Sequence, residues 1–305
     1  MTPPDLIPAD VRARLKGLRL RSGRSAQAQG FGLQSSRNLG NGMEFAQYRS
    51  YEPGDEPRQI DWKLYARSDR FYVREAERDS PLTVWLLIDT TASMGQADSG
   101  NDIGPGAPTR LDAARGLAAC IIELALCQGD RFGLLSVGGA GLQATDAATG
   151  PRQRDRCLMR LNALSAAGQW PEEAALGPLW QRVQGNALVI VLSDGFEPHC
   201  VALTERLARA GRDVLHLQLL TTEERDFPFR GGHRFRDPES GAELVCDGEA
   251  VREDFLRRFA EARAELSARL AAAGVGHLEY LLDEPLDAPL QRWFGESRRH
   301  GTTLR

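Results

Sequence analysis

The sequence predicts an α/β protein with a doubly wound, mostly parallel sheet. Two uncharged runs, Thr83 to Ile88 and Ala187 to Leu192, have the length and β-branched content of strands buried on both faces. Strand-like runs alternate with helical periodicity through most of the chain, which is the pattern of β-α-β units. Both uncharged runs also end abruptly in oxygen-bearing side chains: Asp89, Thr91 and Ser93 after the first, Asp194 after the second. Ligands of open α/β sheets bind outside the carboxyl ends of the strands.

Taken in order, residues 9–20 carry Val11, Leu15 and Leu18 at helical spacing, and a polar, Gly-rich stretch follows to Met43. Residues 44–79 alternate in charge sign and hold Phe45, Tyr48, Tyr51, Trp62, Tyr65, Phe71 and Tyr72. So many aromatics argue against disorder. They predict a folded arm or small β subdomain, with Trp62 and Arg67 packing it onto the following domain. The other reading is a recognition surface, since Arg, Tyr and Trp are favoured at interfaces.

The strand from Thr83 leads into a Gly/Pro/Asp-rich loop, Gln96 to Pro108, expected to be a mobile surface excursion. Arg110 to Gln128 is a well-patterned helix stopped by Gly129. Phe132 to Val137 is a strand, Leu142 to Thr145 a short edge strand, and helices are expected over 154–164 and 171–183. After Asp194 come a helix over 201–210 and a strand over 214–220. Residues 227–248 interrupt the alternation and read as a hairpin with its turn at Asp237 to Gly241. A helix over 253–273, a strand over 277–282, a short helix through Trp293 and a basic tail complete the chain. The expected domains are an N-terminal arm over 1–80 and an α/β domain over 81–305 with the hairpin inserted.

The chain of 305 residues buries a sizeable core, and its net charge of -4 gives no global field for nucleic acid. The basic residues are almost all arginine, with Lys16 and Lys63 the only lysines. No run approaches the ~20 apolar residues of a membrane span, and the first residues lack an apolar signal core. Five cysteines without a CxxC pair point to reduced thiols in a cytoplasmic protein, with Cys120 and Cys127 on one helix face.

Carboxylate and hydroxyl oxygens are hard ligands suited to Mg²⁺, Mn²⁺ or Ca²⁺. Asp89, Thr91, Ser93 and Asp194 would converge if their strands are neighbours. The plainer alternative is that Asp89 and Ser93 cap the next helix. Here the sequence resembles the von Willebrand factor A fold and its metal-ion-dependent adhesion site, whose pattern is Asp-x-Ser/Thr-x-Ser with an Asp on a later strand. That resemblance also implies a Thr from a middle loop. The corresponding segment, Ala167-Gly168-Gln169-Trp170, has no hydroxyl, so Gln169 is the expected substitute and weak metal binding is expected.

A second resemblance spans nearly the whole chain. The stretch from Phe45 to Glu75 matches the signature Arg-x-Tyr-x-x-Gly-Asp-x-x-Arg-x-Ile-Asp-Trp, then Ala-Arg, of the DUF58 family of bacterial proteins. The matching residues are Arg49, Tyr51, Gly54, Asp55, Arg58, Ile60, Asp61, Trp62, Ala66 and Arg67. The resemblance implies a non-enzymatic, metal-dependent adaptor that works with a MoxR-type AAA+ ATPase on a protein client. One alternative is a structural scaffold with a vestigial metal site. Another is a haloacid-dehalogenase-type phosphotransferase, which fails on two counts. It needs a second Asp where Thr91 stands, and a later lysine where no lysine follows Lys63. His199, near Asp194, reads as a helix-start residue, and His216, on a buried strand, as a satisfied core histidine.

Overall fold

A computed structural model describes residues 6–22, 45–51, 60–76, 81–98 and 107–295. The chain forms two compact units: residues 24–81, and a larger one of residues 1–23 with 82–305. Helix α1 (Ala9–Leu15) therefore departs from the expected arm. Its Val11 and Leu15, with Ile7 and Leu20, are buried in the core of the larger unit, because their helical spacing makes an apolar stripe that must find a partner.

In the small unit, β1 (Phe45–Ser50) pairs antiparallel with β2 (Tyr72–Ala76). Between them lies helix α2 (Trp62–Ser68). The signature residue Asp61 is its N-cap. Its carboxylate accepts from the backbone of Lys63 at 2.9 Å and Leu64 at 3.0 Å, which satisfies donors a helix start leaves open. Backbone bonds from Tyr51 to Phe71 and from Asp61 to Tyr72 tie the helix to the hairpin. The expected burial of Trp62 and Arg67 is corrected: both are exposed, Trp62 at 58%. Helix α2 has no buried residue, and Trp62 meets Tyr65 and Phe71 edge-on while those two rings stack at 4.4 Å. Arg49 lies on β1, and Gly54, Asp55 and Arg58 lie outside the described residues.

The larger unit is built on six strands. They are β3 (Thr83–Asp89), β4 (Arg131–Gly138), β5 (Gly141–Ala148), β6 (Leu188–Ser193), β7 (Asp213–Leu220) and, after a separate hairpin of β8 (Gly232–Arg236) and β9 (Glu243–Asp247), β10 (Gly276–Leu281). Across the sheet the order is β10-β7-β6-β3-β4-β5, all parallel except the edge strand β5. Counting only these six in chain order gives 3-2-1-4-5-6, the doubly wound order, with its reversal between β3 and β6.

Both faces of the sheet are covered, as the uncharged strands require. Val84, Leu86 and Ile88 of β3 join one core cluster, and Trp85 and Leu87 join the other. Helix α3 (Arg110–Gln128) has the range its sequence predicts. It is closed at its start by a capping box of Thr109 and Asp112 and at its end by Gly129 in the left-handed region. Helix α4 (Pro151–Asn162) follows β5, and α5 (Gly177–Arg182) is shorter than expected because the chain from Pro171 first makes a 3-10 turn. Helices α6 (Pro198–Arg209), α7 (Thr222–Asp226), α8 (Gly248–Ala272) and α9 (Ala288–Phe294) complete the layers.

All five cysteines are free, and Cys127 is exposed at the end of α3 rather than sharing the burial of Cys120. His216 is buried, yet neither ring nitrogen has a hydrogen-bond partner among the described residues, and burial lowers its pKa to about 3. The core histidine is thus neutral and unsatisfied. No helix among the described residues is long and apolar enough to cross a membrane.

Candidate metal centre

The register of β3 and β6 sets Ile88 opposite Leu192, so the chain leaves both strands at the same level. Asp89 and Asp194 consequently emerge side by side at the point where the strand order reverses. Asp89, Thr91, Ser193 and Asp194 are all at most 1% exposed, and Ser93 is half-buried.

A buried carboxylate needs hydrogen-bond partners, and Asp89 has three. Its Oδ1 accepts from the Thr91 backbone at 2.9 Å and the Thr91 hydroxyl at 2.8 Å. Its Oδ2 accepts from the Ser193 hydroxyl at 2.7 Å. Burial, and then the charge of Asp194, push the Asp89 carboxyl up to about 7. The Thr91 and Ser93 hydroxyl oxygens stand 3.1 Å apart. The Asp194 carboxylate accepts from the Phe196 backbone at 3.1 Å, and its carbonyl accepts from Gln218 at 3.0 Å.

Arg110, the first residue of α3, is 1% exposed and faces this cluster. Its guanidinium donates to the Ser93 carbonyl at 3.1 Å, to Gln96 at 2.9 Å, to Asp194 at 3.5 Å and to Glu224. A cation at a helix N-terminus runs against the helix dipole, so its position signals buried acidic partners that the sequence pattern alone did not assign. The loop base is pinched shut beside it, where the Arg110 backbone donates to Gln96 and Ala97 bridges Thr109. Residues 99–106 of that loop lie outside the described residues.

The middle loop docks against the Asp-x-Thr-x-Ser turn through backbone alone. Ala167 donates to Thr90 at 3.0 Å, and Ala92 donates to Gly168 at 2.9 Å. Two glycines permit that approach. A Cβ on Gly138 would lie 2.5 Å from the Thr90 hydroxyl, and one on Gly139 would lie 2.6 Å from the Ala167 carbonyl.

The structure places Gln169 beside the β8–β9 hairpin. Gln169 is exposed, and its amide nitrogen donates to the backbone carbonyl of Glu239 at 3.3 Å. Glu239, whose carbonyl takes that bond, sits in the turn between β8 and β9. Burial raises the pKa of its carboxyl above the usual carboxylate value, and Ser93 and Thr91 oppose the rise. His199 is an exposed helix-start residue bonded to Glu197.

The donor set fits a hard divalent cation. It is all oxygen, with two hydroxyls and two converging carboxylates. Ligands at right angles around an ion with bonds of about 2.0–2.1 Å lie about 3 Å apart, which is the spacing of the Thr91 and Ser93 hydroxyls. Because half the donors are hydroxyls, the site forms no cluster of three or more His, Cys, Asp or Glu, and no such metal-ready cluster occurs among the described residues.

The strand order, the reversal between β3 and β6, and the Asp-x-Thr-x-Ser turn placed there define a von Willebrand factor A-like domain. The chain belongs to the DUF58 family, described as "Protein of unknown function DUF58", which its residues 47–265 match. It is 31% identical over 268 residues to uncharacterized proteins of Mycobacterium bovis and Mycobacterium tuberculosis, covering 86% of this chain and 81% of theirs. Among solved structures it is similar to an aerotolerance-related membrane protein from Bacteroides fragilis, with 17% identity, a TM-score of 0.43, and 69% of this chain and 96% of that one covered. It is similar too to the protein BatB from Bacteroides thetaiotaomicron, at 16% identity, TM-score 0.43, and coverage of 70% and 96%. The SpRpn10 VWA domain matches at 12% identity, TM-score 0.36, and coverage of 70% and 95%.

Proposed function

We propose that this protein is a non-enzymatic, cytoplasmic adaptor that binds a partner protein through a divalent cation, Mg²⁺ or Mn²⁺. The observation carrying this reading is the all-oxygen site at the sheet's reversal point, with Thr91 and Ser93 hydroxyls 3.1 Å apart above the buried Asp89. Thr91 and Ser93 would hold the ion directly. Asp89 and Asp194 would hold it directly or through water, and Asp89 also fixes the Thr91 hydroxyl in place. The ion, when bound, supplies an electrophilic point that accepts a carboxylate oxygen from a partner. The chain's own contribution is to hold the hydroxyls at ligand spacing and exclude bulk water from Asp89. The Thr91 and Ser193 hydroxyls donate to a buried carboxylate that fixes them in place, and the reading is binding without turnover.

The partner that the family resemblance suggests is a MoxR-type AAA+ ATPase, with the adaptor presenting a protein client to it. The experiment is co-elution of the purified protein with the MoxR-type ATPase of the same organism, with Mg²⁺ and with chelator. We expect a complex that chelator and Ser93→Ala both dissolve. A complex that forms equally well with chelator would leave a scaffold whose metal site is vestigial.

A further inference from the structure

A cavity of about 450 Å³ opens beside the metal centre, a size usual for ligand pockets. Phe227, Phe229, Phe235 and Phe255 line it, together with Glu223, Glu224 and Gln96. Arg110 fixes its place: one terminal nitrogen of the guanidinium meets Gln96 and Asp194, and the other meets Glu224. The aromatic wall is drawn from three segments: the chain after α7, strand β8 and helix α8. Phe227 is its hub, with the ring centroids of Phe229, Phe235 and Phe255 at 5.1, 5.7 and 4.4 Å. Phe227 is buried and has a φ of 43°, a left-handed backbone that a bulky residue keeps only where its surroundings hold it. The other three are half-buried, so part of each stays open.

The wall is aromatic and acidic, and no arginine or lysine lines it. The nearby arginines are engaged: Arg225 pairs with Asp226 and Asp283, and Arg252 donates to the backbone carbonyls of Asp226 and Phe227. Arg110 serves two carboxylates, Asp194 and Glu224, with a single positive charge. Behind the cavity, the buried Asp98 accepts from the backbone of Thr222 and Glu223, so it adds a negative charge held by neutral donors. Ring faces attract cations as well. We propose that this cavity receives an arginine side chain of a partner protein. A guanidinium stacks on rings, offers its fork to carboxylates and is more weakly hydrated than an ammonium. The inference goes beyond the metal-dependent reading and stands without the ion. Because Arg110 joins the two places, one partner surface would offer a carboxylate to the ion and an arginine to the cavity.

The test titrates the full, isotope-labelled chain, in chelator, with the blocked tripeptide acetyl-Gly-Arg-Gly-amide. Binding is read from the backbone amide resonances of Phe229, Phe235 and Phe255. A second peptide carries citrulline, neutral and of the same shape, in place of the arginine. We expect saturable shifts at those three amides, and citrulline binding at least about fivefold weaker. Phe235→Leu and Phe255→Leu each remove a ring while keeping apolar volume, and each should weaken the arginine peptide by about threefold or more. They lie on different elements, so a loss of fold in one leaves the other to decide. Equal affinity for the two peptides overturns the inference, because the cavity would then be an apolar slot indifferent to charge. No shift at the three amides up to the solubility limit of the peptide overturns it too. With no ion present, either failure leaves the metal-dependent function standing, and a chain that binds no Mn²⁺ can still bind the peptide.

Discussion

Asp89→Asn is expected to stabilise the metal-free protein at pH 8 while abolishing its stabilisation by Mg²⁺ or Mn²⁺. In the unfolded chain this carboxyl has its ordinary value of 3.8, and in the fold it is pushed up to about 7 by burial and then by Asp194. Between those values the folded protein holds a proton that the unfolded chain has released. Stability therefore falls as pH rises from about 4 to about 7. The full difference corresponds to roughly 4 kcal/mol, an upper figure because a buried pair relaxes when both members are charged. An amide keeps the geometry: its oxygen accepts from Thr91 and its nitrogen donates to the Ser193 hydroxyl, both within reach at 2.8 and 2.7 Å. It carries no charge to bury.

We expect the variant to be more stable than wild type by on the order of 2 kcal/mol at pH 8 without metal. At pH 4, where the wild-type side chain is neutral as well, the two should be equal. Urea unfolding at the two pH values, with chelator, measures this. A variant less stable than wild type at pH 8 would mean that the Asp89 charge is compensated within the fold. The same titration makes wild-type Mn²⁺ binding weaken below pH 7, since the ion must displace a proton.

Arg110→Met is the second large effect. Arg110 is 1% exposed and lies between Asp194, itself 1% exposed, and Glu224, 21% exposed. Breaking a buried ion pair from one side costs about 3–5 kcal/mol, because the remaining charge stays buried without compensation. Methionine fills most of the volume of the arginine stem, so the loss reports charge rather than a cavity. We expect a fall of that size in unfolding free energy for the metal-free protein. Saturating Mn²⁺ should recover part of it, since the ion then neutralises Asp194. A loss of under about 1 kcal/mol would show that the Arg110 pairs are solvated. An equal loss with and without Mn²⁺ would separate Arg110 from the metal site.

The sheet was legible because its strands obey simple rules. Thr83 to Ile88 reads as a strand buried on both faces, and Arg110 to Gln128 carries its apolar stripe and meets its stop at Gly129. The convergence of Asp89 and Asp194 followed from two such strands being neighbours. What was missed required tertiary information. Helix α1 shows a stripe at Val11 and Leu15 but nothing that says which unit receives it. Trp62 looked like a buried anchor because the sequence does not reveal that its helix is solvated and its rings pack on one another. Ser193 is adjacent to a predicted site residue, but nothing in the sequence turns its hydroxyl toward Asp89. Glu239 lies 70 residues beyond Gln169. Its turn was legible at Asp237 to Gly241, whereas the fold-back that brings it beside Gln169 was not. The missing hydroxyl of the middle loop is therefore assigned to the nearest polar residue in sequence, Gln169, whose amide turns to the hairpin instead.

The most direct test of the central claim is titration of Mn²⁺ into the wild-type protein and Ser93→Ala by calorimetry at pH 8. Ser93 is half-buried and its hydroxyl pairs with that of Thr91, so the variant keeps the hydrogen bonds that hold Asp89. The account predicts one equivalent of Mn²⁺ bound by wild type and binding weakened beyond detection, or by at least about tenfold, in the variant. Equal binding by the two proteins, or none by wild type, would contradict it.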